Sequence, residues 1–265
     1  MNPTYFTPGT GEPAVTITRF AETQWHAVEN GQVVGRGDAS SRPDGRVFIS
    51  VDAWHGAVFD QLAAAMVADL PTPLHTVVDE DDLDLTSRWQ RVGFTTGRRE
   101  WEYLVPTDPA VTGLSSAQPP SGVTIVPVGE AEHVPLRALD RAIRDEVEAT
   151  VGWRRMPVEV LPRPDGVTVV DAAKYAVAVR AHRYVGMVRL APVARQPRIG
   201  LIAIRADEHR RGIARSMLAQ VLGALHRSGV TGARAEVDET NDAAMALFDG
   251  IGAQRTGCNL ELVCR

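Results

Sequence analysis

Shifting the 265-residue chain against itself by 159 positions superposes Val78-Asp79-Glu80 on Val237-Asp238-Glu239, Trp89 on Phe248, Val92-Gly93 on Ile251-Gly252 and Glu102 on Glu261, without a gap. A repeat of that length duplicates a whole folding unit, so the fold must hold two halves with one order of elements. Alternating apolar runs in the first half predict strands over 15–20, 25–29, 32–36 and 47–51, with Asn30-Gly31 as a hairpin turn. A helix over 58–68, a strand over 75–78, a helix over 83–92 and a strand over 100–105 follow. The second half reads as strand 123–128, helical region 132–150, a hairpin of strands 175–180 and 184–190 turning at 181–183, and strand 199–204. A helix from 213, a strand over 233–237, a helix over 241–248 and a strand over 259–263 complete it. Residues 106–122 are rich in Pro, Ser, Thr and Gly and lack periodicity, which is linker composition.

At 44% hydrophobic residues the chain has material for two packed cores. It begins MNPTYFTPGTGEP, without the basic and apolar regions of a signal peptide, and no run approaches the roughly 20 apolar residues that span a bilayer. A soluble, cytoplasmic protein is the expectation. The net charge of -5 argues against nucleic acid or an acidic membrane as partner. Cys258 and Cys264 lie on one predicted strand, too far apart to bridge, and the seven histidines show no ligand spacing, so no metal site is expected.

The most informative stretch is 198–215, RIGLIAIRADEHRRGIAR. A β-branched run ends in a charged turn, and Gly212 opens an amphipathic helix carrying Ile213, Met217, Leu218, Val221, Leu222 and Leu225. The first amides of that helix have no partner within it. Together with the helix dipole and the guanidinium groups of Arg210, Arg211 and Arg215, they make a site for a phosphate or pyrophosphate. There is no Gly-Lys-Ser/Thr for a P-loop and no GxGxxG for a dinucleotide fold.

The stretch resembles the acetyl-CoA-binding motif of the GNAT superfamily of N-acetyltransferases: Gln or Arg, two residues, Gly, one residue, Gly or Ala. Gly212 and Ala214 match it, and His209 departs at its first position. The resemblance is good over 122–265 and weak over 13–106, where AWHGAVF stands in place of EHRRGIA and no phosphate site is expected. It implies an α/β (α+β) fold of two GNAT-like domains, each a mixed, mostly antiparallel twisted sheet flanked by helices. Tandem proteins with a degenerate first copy, of the mycothiol synthase type, offer a likeness. The expected division is a disordered 1–12, a degenerate domain over 13–106, a linker over 107–121 and an acetyl-CoA-binding domain over 122–265.

By the same resemblance, Ile202, Ala203 and Ile204 would bond the pantetheine arm through their backbone. The amides of Arg210, Arg211, Gly212, Ile213, Ala214 and Arg215 would hold the pyrophosphate with His209 beside them, and Asn241 would meet the cofactor. Acyl transfer to an amine needs a base, oxyanion donors and an acid for the thiolate. Glu236 matches the base of the ribosomal-protein N-terminal alanine acetyltransferase group within the superfamily, although a solvated strand residue would look the same. The amide of Ile202 or Ile204 would hold the oxyanion. Phe248 stands where relatives carry an acidic tyrosine; it can pack against the cofactor but donates no proton, which leaves water, Tyr184 or an unprotonated thiolate. Arg198 departs from a usual glutamate. Asp140, Asp145, Glu146 and Glu148 read as a solvated helix face or a lure for a cationic amine, and Trp153 as a wall of the acceptor pocket or core filling. The resemblance implies acetylation of a primary amine by direct attack; the extra half, which narrows the cleft and could mimic a dimer internally, favours a small-molecule acceptor and a monomer over a homodimer. The alternatives are a catalytically silent acyl-CoA-binding scaffold and a protein N-acetyltransferase.

Overall fold

The computed structural model describes residues 15–150, 152, 156, 160–161, 168–193 and 196–265. The expectations for residues 1–12 and for Trp153 lie outside them. The first half runs β1 Thr16–Ala21, β2 Gln24–Glu29, β3 Gln32–Ser41, β4 Val47–Ala53, α1 Gly56–Asp69, β5 Leu74–Asp79, α2 Leu83–Arg91 and β6 Thr95–Pro106. A single turn, α3 Pro109–Thr112, precedes the second half. That half runs β7 Val123–Val126, α4 His133–Glu148, β8 Tyr175–Arg180, β9 Arg183–Ala191, β10 Arg198–Ile204, α5 Ile213–Arg227, β11 Gly232–Asp238, α6 Asp242–Asp249 and β12 Gln254–Cys264.

The duplication is exact at its later elements: α2 and α6 start 159 residues apart, and so do β6 and β12. Even the caps correspond, because Asp82 accepts from the Leu85 amide at 2.9 Å and Asn241 from the Ala244 amide at 3.1 Å. Each satisfies an amide that the helix itself leaves free.

The mixed, mostly antiparallel architecture is as expected, but the two half-sheets are one. Twelve strands pair in the order β1-β2-β3-β4-β5-β12-β6-β11-β10-β9-β8-β7. The halves exchange their last strands. β6, from the first half, lies between β12 and β11, and β12, from the second, lies between β5 and β6. Leu260 and Leu262 of the second half therefore fill the core under α1 and α2, and Tyr103 and Val105 of the first fill the core under α5 and α6. Side chains alternate along each strand, so those four helices cover one face of the sheet. On the other face α4 packs Leu136, Leu139 and Ile143 against Tyr175, Val177 and Met187.

Two expectations change. β6 and β12 start at Thr95 and Gln254, well before the predicted 100 and 259, because their first halves carry polar residues that period-two reading passes over. The expected linker is not a free tether. Thr107 donates to the Val230 carbonyl at 2.5 Å, and Thr112 and Leu114 are buried, Leu114 within the core of the second half. A segment pinned in this way holds the exchanged strand in place.

Candidate active site

β10 and β11 run parallel but pair at only two positions, Arg198 with Arg234 and Ile199 with Ala235. Beyond them the strands diverge, and a bulge between Ile199 and Leu201 sits at the crotch of the fork. Ile202, Ala203 and Ile204 lie on the open arm, with backbone groups facing β11 that take no part in that ladder. Glu236 is the first residue of β11 past the last closed pair.

At the far end of the open arm the chain turns into α5. Arg210 and Gly212 both have positive φ, 59° and 83°, and Gly212 caps the helix without a side-chain bond. The first intrahelical bond is from the Ser216 amide to the Gly212 carbonyl, at 3.1 Å, so the amides of Ile213, Ala214 and Arg215 have no partner within the helix. Nothing lies within 4 Å of where a Cβ on Gly212 would stand, which leaves the cradle open. Arg211 also faces Glu208 at 3.3 Å, and Arg215 donates to the Gly250 carbonyl at 3.2 Å. Glu146 of α4 bonds Arg205 at 2.6 Å and the Ala206 amide at 2.8 Å, bracing the turn.

Five of the residues singled out in the sequence have partners within the protein. His209 does not face the cradle: its Nε2 donates to the Ile204 carbonyl at 2.8 Å and its amide to the Ala206 carbonyl at 3.4 Å, so it fastens the turn to the end of β10. Phe248 is 4% exposed and stacks on Tyr103 at 5.4 Å between ring centroids, a core position. Asn241 spends its side-chain oxygen on the cap of α6. Tyr184 accepts from the Glu132 amide at 2.9 Å, and Asp140 is buried against Arg144 at 2.8 Å rather than solvated.

The first half repeats the fork, with β4 and β5 pairing only at Val47–Leu74 and Phe48–His75. It does not repeat the cradle. His55 caps α1 in an extended conformation, and a Cβ on Gly56 would fall on the Arg88 guanidinium that covers the helix start.

Sequence reasoning missed the polar floor on the α4 face of the central strands. Glu236 and Arg198 form an ion pair there, Arg98 faces Glu100 and Asp238, and Glu102 accepts from Asn259 Nδ2 at 2.6 Å. Glu102 and Glu236 are direct cross-strand neighbours and line an open groove with Leu104, Gln196, Arg234 and Thr256. Burial pushes the Glu100 carboxyl above its ordinary range; Arg98 opposes this, and the charges of Glu236 and Glu261 add to it. The alternation of Arg98, Glu100 and Glu102 was the available signal.

Glu261 behaves differently. Burial would raise its carboxyl, but the hydrogen bond to His75 at 3.0 Å and Arg46 at 2.8 Å hold it below the usual range. A depressed carboxylate contributes stability above its unfolded value, near pH 4.3, and loses it as pH falls through the folded one. Glu261→Gln is therefore expected to cost roughly 1.5–3 kcal/mol at pH 7, a deficit that closes below about pH 4. Urea unfolding of both proteins at pH 7, 5 and 3.5 checks it; a gap that ignores pH would mean that the charge is not what holds Arg46 and His75.

Cys258 and Cys264 are buried free thiols, and burial pushes Cys258 up to about 11, away from reactivity at neutral pH. Among the described residues no group of three His, Cys, Asp or Glu is placed to hold a metal ion, and no helix is long and apolar enough to cross a membrane.

Residues 142–253 match the model of the Acetyltransferase (GNAT) family. No curated protein matches the chain in sequence. Solved structures share its fold over nearly its whole length. A GCN5-related N-acetyltransferase from Sphaerobacter thermophilus superposes with a TM-score of 0.63 at 16% identity, covering 93% of this chain and 81% of that one. A tandem GNAT protein from the clavulanic acid biosynthesis pathway gives 0.62 at 14%, covering 96% and 84%. A GCN5-related N-acetyltransferase from Kribbella flavida gives 0.58 at 12%, covering 95% and 89%. The fold is thus that of GNAT proteins in tandem. The match to the GNAT acetyltransferases, a family whose members move acyl groups from acyl-CoA, lies within the second half.

Proposed function

We propose that the protein transfers an acetyl group from acetyl-CoA to the primary amine of a small molecule, with Glu236 as base. One observation carries this reading: Glu236 stands at the closed end of a fork whose open end is a helix start with free amides. The five steps from Ile199 to Ile204 span about 16 Å of strand, a run suited to an extended pantetheine arm. Ile202, Ala203 and Ile204 would hold that arm, and the amides from Arg210 to Arg215 with their guanidinium groups would hold the pyrophosphate. When bound, acetyl-CoA supplies an activated thioester carbonyl.

Glu236 then accepts a proton from the substrate ammonium, and the amide of Ile202 or Ile204 faces the developing oxyanion. Arg198 orients Glu236 through one carboxylate oxygen, Oε2. With Phe248 in the core, the leaving thiolate takes its proton from water. The joined sheet buries both half-sheets against each other within one chain, which favours a monomer. A second reading, an acyl-CoA-binding protein without turnover, draws on the same Arg198–Glu236 pair, since the carboxylate that the first reading uses as base is already engaged by a guanidinium.

Calorimetric titration with acetyl-CoA tests the cradle. One site per chain is expected. Gly212→Glu forces a side chain into positive φ, costing about 1–2 kcal/mol, and sets a carboxylate among the anion-binding amides. Its affinity is expected to fall by about a hundredfold or more. Undiminished binding by that variant would remove the cradle from the site.

A further inference from the structure

Resting on the reading of Glu236 as base, we propose that Glu102 holds the ammonium of the acceptor, so that the first half supplies a substrate-positioning residue to the site of the second. The exchanged strand makes this possible. β6 carries Glu102 to the position directly opposite Glu236, where cross-strand Cβ atoms stand about 4.5–5.5 Å apart and two like charges repel. Arg198 engages Glu236. Glu102 has the Asn259 amide and no ion pair among the described residues.

The duplication supplies its own comparison. Glu261 occupies the position equivalent to Glu102, and there Arg46 pairs with its charge and His75 hydrogen-bonds it. The same residue is thus charge-paired at one copy and left facing a groove at the other, beside the proposed base. A primary ammonium has three donors and can bridge both carboxylates. When one proton passes to a Glu236 oxygen, the nitrogen lone pair is freed for the carbonyl carbon. A remaining N–H stays on Glu102 and keeps the neutral amine in line. The substrate class this selects is a compact primary alkylammonium.

The test is steady-state kinetics of the full chain with glucosamine, 1,4-diaminobutane and alanine amide as acceptor probes. Glu102→Gln keeps an acceptor for Asn259 and removes the charge. It is expected to raise the amine KM about tenfold or more while kcat and the acetyl-CoA KM change by less than about threefold. Glu261→Gln is expected to leave the amine KM unmoved. An amine KM unaffected by Glu102→Gln overturns the assignment. Glu236→Gln run alongside separates the two ideas: full turnover there, with a raised KM in Glu102→Gln, overturns the base and keeps the positioning. A wild-type protein that binds acetyl-CoA and acetylates none of the probes overturns both.

Discussion

Glu236→Gln is expected to lower kcat for amine acetylation at pH 7 by about 10²- to 10⁴-fold, the usual contribution of a positioned general base. Acetyl-CoA affinity should not change, because the free amides of the cradle lie at the other end of the open strand. Glutamine is nearly isosteric and still accepts a bond from Arg198, so the variant isolates proton acceptance from packing. The pH profile makes the test sharper. An alkylamine titrates near pH 10, so raising pH supplies more of the neutral nucleophile and makes the base dispensable. The deficit is expected to shrink steadily between pH 7 and 9.5, read as thioester cleavage at saturating amine. Turnover at wild-type level at pH 7 would sink the base, and a deficit constant with pH would point to a positioning role instead.

What the sequence made legible was local. The glycine turn, the three arginines and the helix that follows are written in consecutive residues, and the structure assembles them with Gly212 in the left-handed conformation that the turn requires. The offset of 159 carries over to helix starts and caps for the same reason: capping chemistry is decided within a few residues. The exchange of β6 and β12 was not legible, since either partner buries the same apolar face of those strands and periodicity is blind to which neighbour a strand takes. The polar starts of β6 and β12 hid for a related reason. Arg98 pairs with Glu100 and Asp238 on the floor of the sheet, and Glu102 accepts from Asn259, a non-local solution that resembles a loop when read along the chain. His209 shows the limit of motif matching, because its ring reaches back to Ile204 and contributes through the backbone it fastens.

The exchange predicts that neither half has a stability of its own. Both neighbours of β12 are first-half strands, and both neighbours of β6 are second-half strands, so each half completes the core of the other. Tyr103 is 1% exposed, stacks on Phe248, donates to Asp249 at 3.1 Å and accepts from Arg255 at 2.9 Å, all three of them second-half residues. Tyr103→Ala is expected to cost about 3–5 kcal/mol, the range for a buried aromatic side chain. Leu262, fully buried under α1 and α2, is the converse case, and Leu262→Ala should cost about 2–5 kcal/mol. Two independent domains would melt in two steps, with each variant moving one of them. Exchanged strands require a single calorimetric transition that both variants lower, by about 2–4 °C per kcal/mol for a chain of roughly this size. Hydrogen exchange should likewise show Tyr103→Ala loosening α5 and α6 and Leu262→Ala loosening α1 and α2. A fragment of residues 122–265 leaves β12 without either neighbour and strips β11 of β6, so it is expected to fail to fold. Its recovery as a folded monomer, or two transitions of which only one responds, would break the exchange, and with it the route by which Glu102 reaches Glu236.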